Sequence, residues 1–392
     1  MSKYKFIQIS DLHFSRIKNF TSFIEVAKEK DAPHLIDKLV FEDFKRNFIT
    51  KWGKKLIYPS TFDSDVAIAL LSRLHGIINN FDVLVITGDI ASTGDDDDLR
   101  IAREYFDGKI PKNWTKAKNN FHSLFKHGVP IITVPGNHDR YHDFLLNPGF
   151  GPYERFFGMA WDFDKKVSNY DDGCKNKFYV KYSILEKLDS CLIFVAGDFS
   201  LRHQIYAEGF LGHIGQGRVD SVLQGMVSVT NKIRSNIINE GYKKYAVVWM
   251  VHFPPCFPGV DSGLKLINDY DLLNAVKNTN IKLLLAGHTH EPLWYRCPIH
   301  GDAHIFSCGT TSGVDVNNSN YYSEFYINVT GPDEYEFNAE CYELSVDAKN
   351  KKIEFSVMQD FPAARKNKSF NFSIANAVAN INNGPSSDIL KS

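Results

Sequence analysis

The sequence predicts a layered α/β fold. Apolar runs recur along the chain and are nearly unbroken, as in strands covered on both faces. Stretches with apolar residues three and four apart separate them, as in helices between strands. Each apolar run also ends in a short polar signature.

The elements follow in order. KFIQIS (5–10) reads as a strand and ends in DLH. DVAIALLSRLHGIINN (65–80) has helical spacing, and VLVITG (83–88) is a strand ending in Asp89. The acidic run Asp95–Asp98 precedes the helical LRIAREYF (99–106) and suits the positive end of a helix. KAKNNFHSLFKH (116–127) is helical by the same spacing, and PIITV (130–134) is a strand ending in PGNHD. CLIFVAG (191–197) ends in Asp198 and is followed by a long helical pattern, 219–240. YAVVWMV (245–251) ends in His252; YDLLNAVKN (270–278) is helical; IKLLLAG (281–287) ends in HTH. AHIFSCGT, EFYINVT, ECYELSVDA and KIEFSVMQ then follow with turns between them. They read as antiparallel strands completing a second sheet.

Composition narrows the function classes. The chain has 392 residues, 43% hydrophobic and 23% charged, enough for one large domain with insertions. The expected division is one domain over 1–362, with an insertion at about 14–64, and a flexible tail over 363–392. A net charge of −1 points to no particular polyanionic or membrane partner. No apolar run approaches the roughly 20 residues of a membrane helix. The first residues run straight into KFIQIS, so no signal peptide is expected. The six cysteines show no CxxC spacing, so the expected setting is reducing and cytoplasmic.

Ligands of α/β sheets bind beyond the carboxyl ends of the strands. The polar signatures lie at those ends, so the fold gathers Asp11, His13, Asp89, Asn137, His138, His252, His288 and His290. A DxH pair at the end of a strand places both side chains on one side, because the period is two, and the same is expected of His288 and His290. Two carboxylates, an amide oxygen and several imidazoles can be divided between two metals about 3.5–4 Å apart. Asp89, after a Gly, is the best candidate to bridge them. The mixed N/O set suits Mn, Fe, Zn or Co better than Ca or Mg. Two divalent ions, two carboxylates and a hydroxide leave positive charge for a phosphoryl group. Hydroxide held between the metals would attack phosphorus, and His138 would protonate the leaving oxygen.

DLH, GD, GNHD, the His of VHFPP and GHTH, in that order, resemble the signature of the calcineurin-like metallophosphoesterase superfamily. The resemblance spans about residues 5–312 and includes VAGDFS, GFLG and CGTTS. It implies a four-layer α/β/β/α sandwich of two mixed β-sheets flanked by helices, the metallo-dependent phosphatase fold. It implies that Asp11, His13, Asp89 and His290 hold one metal. Asp89, Asn137, His252 and His288 would hold the other, with His138 as the acid.

Each block alone has a plainer reading. PGNHD is also a turn in which Asn and Asp bond their own backbone. His252 before Phe-Pro-Pro also fits a half-buried structural histidine. Five blocks in order at strand ends outweigh those readings. Asp198 is read as structural, and GHIG (212–215) lacks the second His of GHTH. Arg140 is a candidate to face the phosphate beside Asn137, with a surface salt bridge as the competing expectation.

Protein phosphatases of the superfamily carry GDxxDRG and GNHE. Here GDIASTG places Ser92 and Thr93 where Asp and Arg are expected, and Asp139 replaces Glu. The arginine that grips a monoester is missing, which points to phosphodiesters. The blocks are most similar to the class III cyclic-nucleotide phosphodiesterase branch, so a nucleotide or cyclic nucleotide is the first substrate expectation. A DNA or RNA nuclease is the second. The stretch KRNFITKWGKK (45–55), basic with two aromatics, supports it slightly, although a solvated helix face explains that stretch as well. A regulatory or binding subunit of a larger assembly is the third, and the oligomeric state stays open.

Overall fold

The computed structural model describes residues 2–15, 62–92, 94, 96–112, 114, 121–140, 152–157, 180–200, 218–255, 266, 269–296, 303–313, 319–347 and 352–358. The insertion core with its basic-aromatic stretch, GFLG, GHIG and the expected tail lie outside them.

Twelve strands in these residues form two six-stranded mixed sheets. The first sheet contains β1 (Ser2–Ile9), β2 (Val83–Ile86) and β3 (Ile131–Thr133), which run parallel. It is extended on the other side of β1 by the antiparallel β10 (Tyr321–Gly331), β11 (Glu334–Asp347) and β12 (Lys352–Val357). The second sheet has the order β4-β5-β6-β7-β9-β8. Its strands are β4 (Val180–Lys187), β5 (Ser190–Gly197), β6 (Lys244–Met250), β7 (Leu283–Ala286), β8 (Leu293–Arg296) and β9 (His304–Ser307).

The period-two pattern of the strands explains the layers. On β1, Tyr4 and Phe6 enter the apolar layer between the sheets, where they join Phe194, Val248, Leu283 and Phe325. Ile7 and Ile9 enter an outer layer instead. That layer is closed by helices α1 (Ser64–Gly76), α2 (Asp96–Phe106) and α4 (Pro152–Phe157), through residues such as Leu70, Tyr105 and Phe157. The second sheet is covered likewise by α5 (Arg218–Asn239) and α6 (Asp269–Asn278), through Met226, Ile233 and Leu272. The result is the α/β/β/α sandwich, with the short α3 (Asn137–Arg140) at the end of β3.

Two expectations need correction. His304–Ser307 does not join the late antiparallel strands: β9 pairs parallel with β7 and antiparallel with β8 in the second sheet, whereas β10–β12 extend the first. A one-sequence reading sees consecutive strands but not which sheet each joins. The second concerns 116–127. In its described part, Phe121–Ser123 are irregular and Phe125–His127 form one 3-10 turn. The Leu124 N–H donates to Phe106 O, which docks the segment on the end of α2, and Gly128 at φ 74° stops the turn.

Cys191, Cys308 and Cys341 are buried free thiols; the other three cysteines lie outside the described residues. Among the described residues no helix is long and apolar enough to cross a membrane.

Candidate metal centre

The motif residues lie beyond the carboxyl ends of β1, β2, β3, β6 and β7, three from one sheet and two from the other. Their convergence does not come from strand alternation, as expected for DLH and HTH. Both segments lie past the last strand residue, Ile9 or Ala286. Asp11, His13, Asp89, His288 and His290 all have positive φ, between 51° and 68°. For non-glycine residues this conformation is costly, and it clusters at functional sites. It is held here by cross-strand bonds: Asp11 N–H donates to Gly88 O at 3.0 Å, and His13 N–H donates to Asp89 O at 3.0 Å.

PGNHD is more than a turn. A Cβ on Gly136 would lie 2.1 Å from Asp89 Oδ1, so only glycine lets the segment pass Asp89. The next residues then turn into α3. His138 N–H donates to Asp89 Oδ1 at 2.8 Å. Asp139 bonds its own turn, accepting from Gly136 N–H at 2.9 Å as the turn reading expects, and it also accepts from Ala91 N–H at 2.9 Å. It thereby fastens the β3 loop to the β2 loop. Gly88 has a parallel role: at φ 102°, its Cβ would fall 2.3 Å from His252 Nδ1. That nitrogen lies 2.7 Å from Thr87 O, so the carbonyl fixes Nδ1–H and leaves Nε2 to face the centre.

The candidate ligand atoms meet at short range. His13 Nε2 is 3.3 Å from His290 Nε2, and His290 Nε2 is 3.5 Å from Asp11 Oδ1. His252 Nε2 is 3.2 Å from Asn137 Oδ1 and 3.3 Å from Asp89 Oδ2. Among the described residues three groups of side chains could hold an ion: Asp11–His13–His290, His13–Asp89–His138 and Asp89–His252–His288. Among the described residues His288 Nε2 is buried with no hydrogen-bond partner, and Asp11 Oδ1 is buried with only the His290 ring near it, at 3.5 Å. A buried carboxylate oxygen and a buried imidazole nitrogen left in this way fit a cation's requirements.

Burial alone would raise the Asp11 and Asp89 carboxyls, but facing imidazoles reverse it. His290 holds Asp11 below the usual carboxylate range, and His252 holds Asp89 well below it. Burial and neighbouring imidazoles push His13 and His288 down to about 3, so both rings are neutral with a lone pair to offer. Burial also works against His252⁺, but the Asp89 and Asp11 charges carry it up to about 9.

A family model for calcineurin-like phosphoesterase matches residues 4–292, which contain every one of these residues. The chain belongs to the calcineurin-like phosphoesterase family. Its members are metal-dependent phosphoesterases that normally bind two divalent ions. No curated protein matches the chain. Solved structures similar to it include a dimetal phosphatase from Danio rerio, 13% identical, covering 85% of this chain and 98% of that one with a TM-score of 0.45. The Plasmodium inner-membrane-complex anchor GAP50 is 11% identical over 91% of this chain and 89% of its own, with a TM-score of 0.41. TT1561 of Thermus thermophilus is 9% identical over 86% and 99%, with a TM-score of 0.40.

Against this family frame Arg140 is a correction. Expected at the phosphate or in a surface salt bridge, it is fully buried and turned inward. Its Nη2 lies 2.7 Å from Asp198 Oδ2 and its Nη1 lies 2.6 Å from Glu154 Oε1. Its guanidinium satisfies a buried carboxylate, which outweighs the solvated position. Ser92 is equally internal, with its Oγ bonded to His13 O. Gln8 was also missed. Fully buried, it donates to Thr87 Oγ1 at 3.1 Å and to Ala286 O at 2.9 Å, tying the two sheets together below the centre. A polar residue in the middle of the apolar run KFIQIS was its signal.

Proposed function

We propose that the protein hydrolyses phosphodiesters, with a nucleotide or cyclic nucleotide as the preferred substrate class. One observation carries the reading: the three ion-holding groups overlap, with Asp89 in two of them and His13 in two. Overlapping groups suit two adjacent ions better than one. Asp11, His13, Asp89 and His290 would hold one; Asp89, Asn137, His252 and His288 would hold the other. When bound, the ions supply positive charge for the phosphate oxygens and make a water acidic enough to attack at neutral pH. Mn, Fe, Zn and Co all accept this donor set.

His138 is the proton donor in this reading. Its Nδ1 is 3.0 Å from Ser92 O, so the carbonyl takes Nδ1–H and leaves Nε2 to deliver a proton. It is half-buried while Asn137 beside it is fully buried, so a leaving oxygen can reach it. The diester preference rests on charge. A monoester carries one more negative charge, and among the described residues beside the loop Ser92 bonds His13 O while the Arg140 cation is engaged by Asp198 and Glu154.

The test is hydrolysis of bis-p-nitrophenyl phosphate beside p-nitrophenyl phosphate, in metal-stripped protein with Mn²⁺ restored. The reading expects metal-dependent cleavage of the diester in excess of the monoester. A monoester preference, or no turnover by protein holding two ions, contradicts it.

A further inference from the structure

The buried pair Arg140–Asp198 is used by none of the steps above. Helix α3 carries a candidate ligand, Asn137, and the candidate proton donor, His138, yet it is four residues long. A helix that short has no stability of its own. Its position is imposed by outside bonds. Two of these, His138 N–H to Asp89 and Asp139 to Ala91 N–H, reach only the neighbouring loop of the same sheet. The Arg140–Asp198 pair instead crosses to the other sheet. Arg140 Nε and Nη2 both meet Asp198 Oδ2, at 2.9 and 2.7 Å, just past the end of β5. Asp198 Oδ1 accepts from Ser200 N–H at 2.9 Å, so the carboxylate is itself held on both oxygens. Both side chains are fully buried. The ring of Tyr153 lies 5.1 Å from the guanidinium carbon, and its hydroxyl bonds Thr133 Oγ1 at 2.6 Å on β3.

We infer that the Arg140–Asp198 pair is a positioning device, setting α3 of the first sheet against the second sheet so that His138 meets the leaving oxygen. The cross-sheet contact of Asn137 Oδ1 with His252 Nε2 at 3.2 Å needs the same spacing. Arg140 touches no reacting atom. A fork of two N–H groups onto one fixed oxygen sets direction as well as distance, which a lysine ammonium cannot do.

The inference rests on the phosphoesterase reading, and the leaving group separates the two. A p-nitrophenolate leaves without a proton, whereas the alkoxide of a dinucleotide needs one. Arg140→Lys and Asp198→Asn are compared with wild type on bis-p-nitrophenyl phosphate and on thymidylyl-thymidine, with bound Mn²⁺ counted in each. The expected result is a kcat loss of roughly tenfold or more on the dinucleotide. The aryl ester should fall far less, KM should hold, and both ions should stay bound. Arg140→Lys/Asp198→Asn should lose no more than either single change. Glu154→Gln, which removes only the negative charge at the partly exposed end and keeps an acceptor there, should match wild type. Equal losses on both substrates would reduce the pair to general stability and overturn the inference, as would additive losses. Should the wild type itself fail to cleave either diester, the phosphoesterase reading falls, and amide exchange still tests the pair. In the wild-type chain His138 and Ser200 N–H should open together, and Arg140→Lys should speed both. Independent opening overturns the inference even if the variants do not fold.

Discussion

His252 Nε2 and Asn137 Oδ1 lie 3.2 Å apart, although one follows β6 and the other follows β3 of the opposite sheet. The centre is therefore only as good as the packing of the two sheets. Gln8 contributes to that packing directly, through its bonds to Thr87 Oγ1 and Ala286 O. Gln8→Leu should cost about 0.5–1.5 kcal/mol, the net worth of a buried hydrogen bond, because Thr87 Oγ1 and Ala286 O still bond each other. Because Thr87 O orients His252, ion affinity should fall as well. Urea unfolding and Mn²⁺ titration check this; an unchanged midpoint would show that Gln8 holds nothing.

Gly136 is a sharper test of the loop geometry. Gly136→Ala places a methyl 2.1 Å from Asp89 Oδ1, and neither backbone nor carboxylate can yield without moving a candidate ligand. A stability loss of about 1–3 kcal/mol is expected, together with weaker ion binding. An alanine variant that binds Mn²⁺ like the wild type would contradict the packing described.

For His138→Ala the expected outcome is a turnover slower by about 10²–10⁴-fold, the usual contribution of a positioned acid. Bound metal should stay at the wild-type level. Lost metal would make His138 a ligand, which its place in the His13–Asp89–His138 group allows for.

Stripping the metal exposes a pH dependence. His252 is raised to about 9 in the folded protein, against an ordinary value of 6.5. A raised histidine contributes stability that is fully present below the unfolded value and lost as pH rises through the folded one. Unfolding temperature of metal-free protein should therefore fall between pH 7 and 9. His252→Gln should flatten that slope. An identical slope in both proteins would show that the Asp89–His252 pairing does not govern it.

Most of the strand order was legible, because continuous apolar runs such as VLVITG and YAVVWMV admit few other readings. So were the positions where chemistry gathers, since the blocks DLH, GD, GNHD and GHTH punctuate those runs. Sheet membership was not legible: β9 and β10 are consecutive but belong to different sheets, and only tertiary pairing decides that. Backbone conformation was equally hidden. DLH looks like strand alternation, yet Asp11 and His13 both sit in the left-handed region because Gly88 O and Asp89 O hold their N–H groups. Arg140 shows the same limit from another side. Beside GNHD it looks like a phosphate contact, and nothing local reveals that Asp198, 58 positions away, takes it into the interior.

The chemistry turns on one centre for two ions, joined by Asp89 across two sheets. Calorimetric titration of metal-stripped protein with Mn²⁺, wild type beside Asp89→Asn, tests it most directly. The wild type should bind two equivalents, and the variant should lose most of that binding. A single equivalent in the wild type, or two in Asp89→Asn, would contradict it.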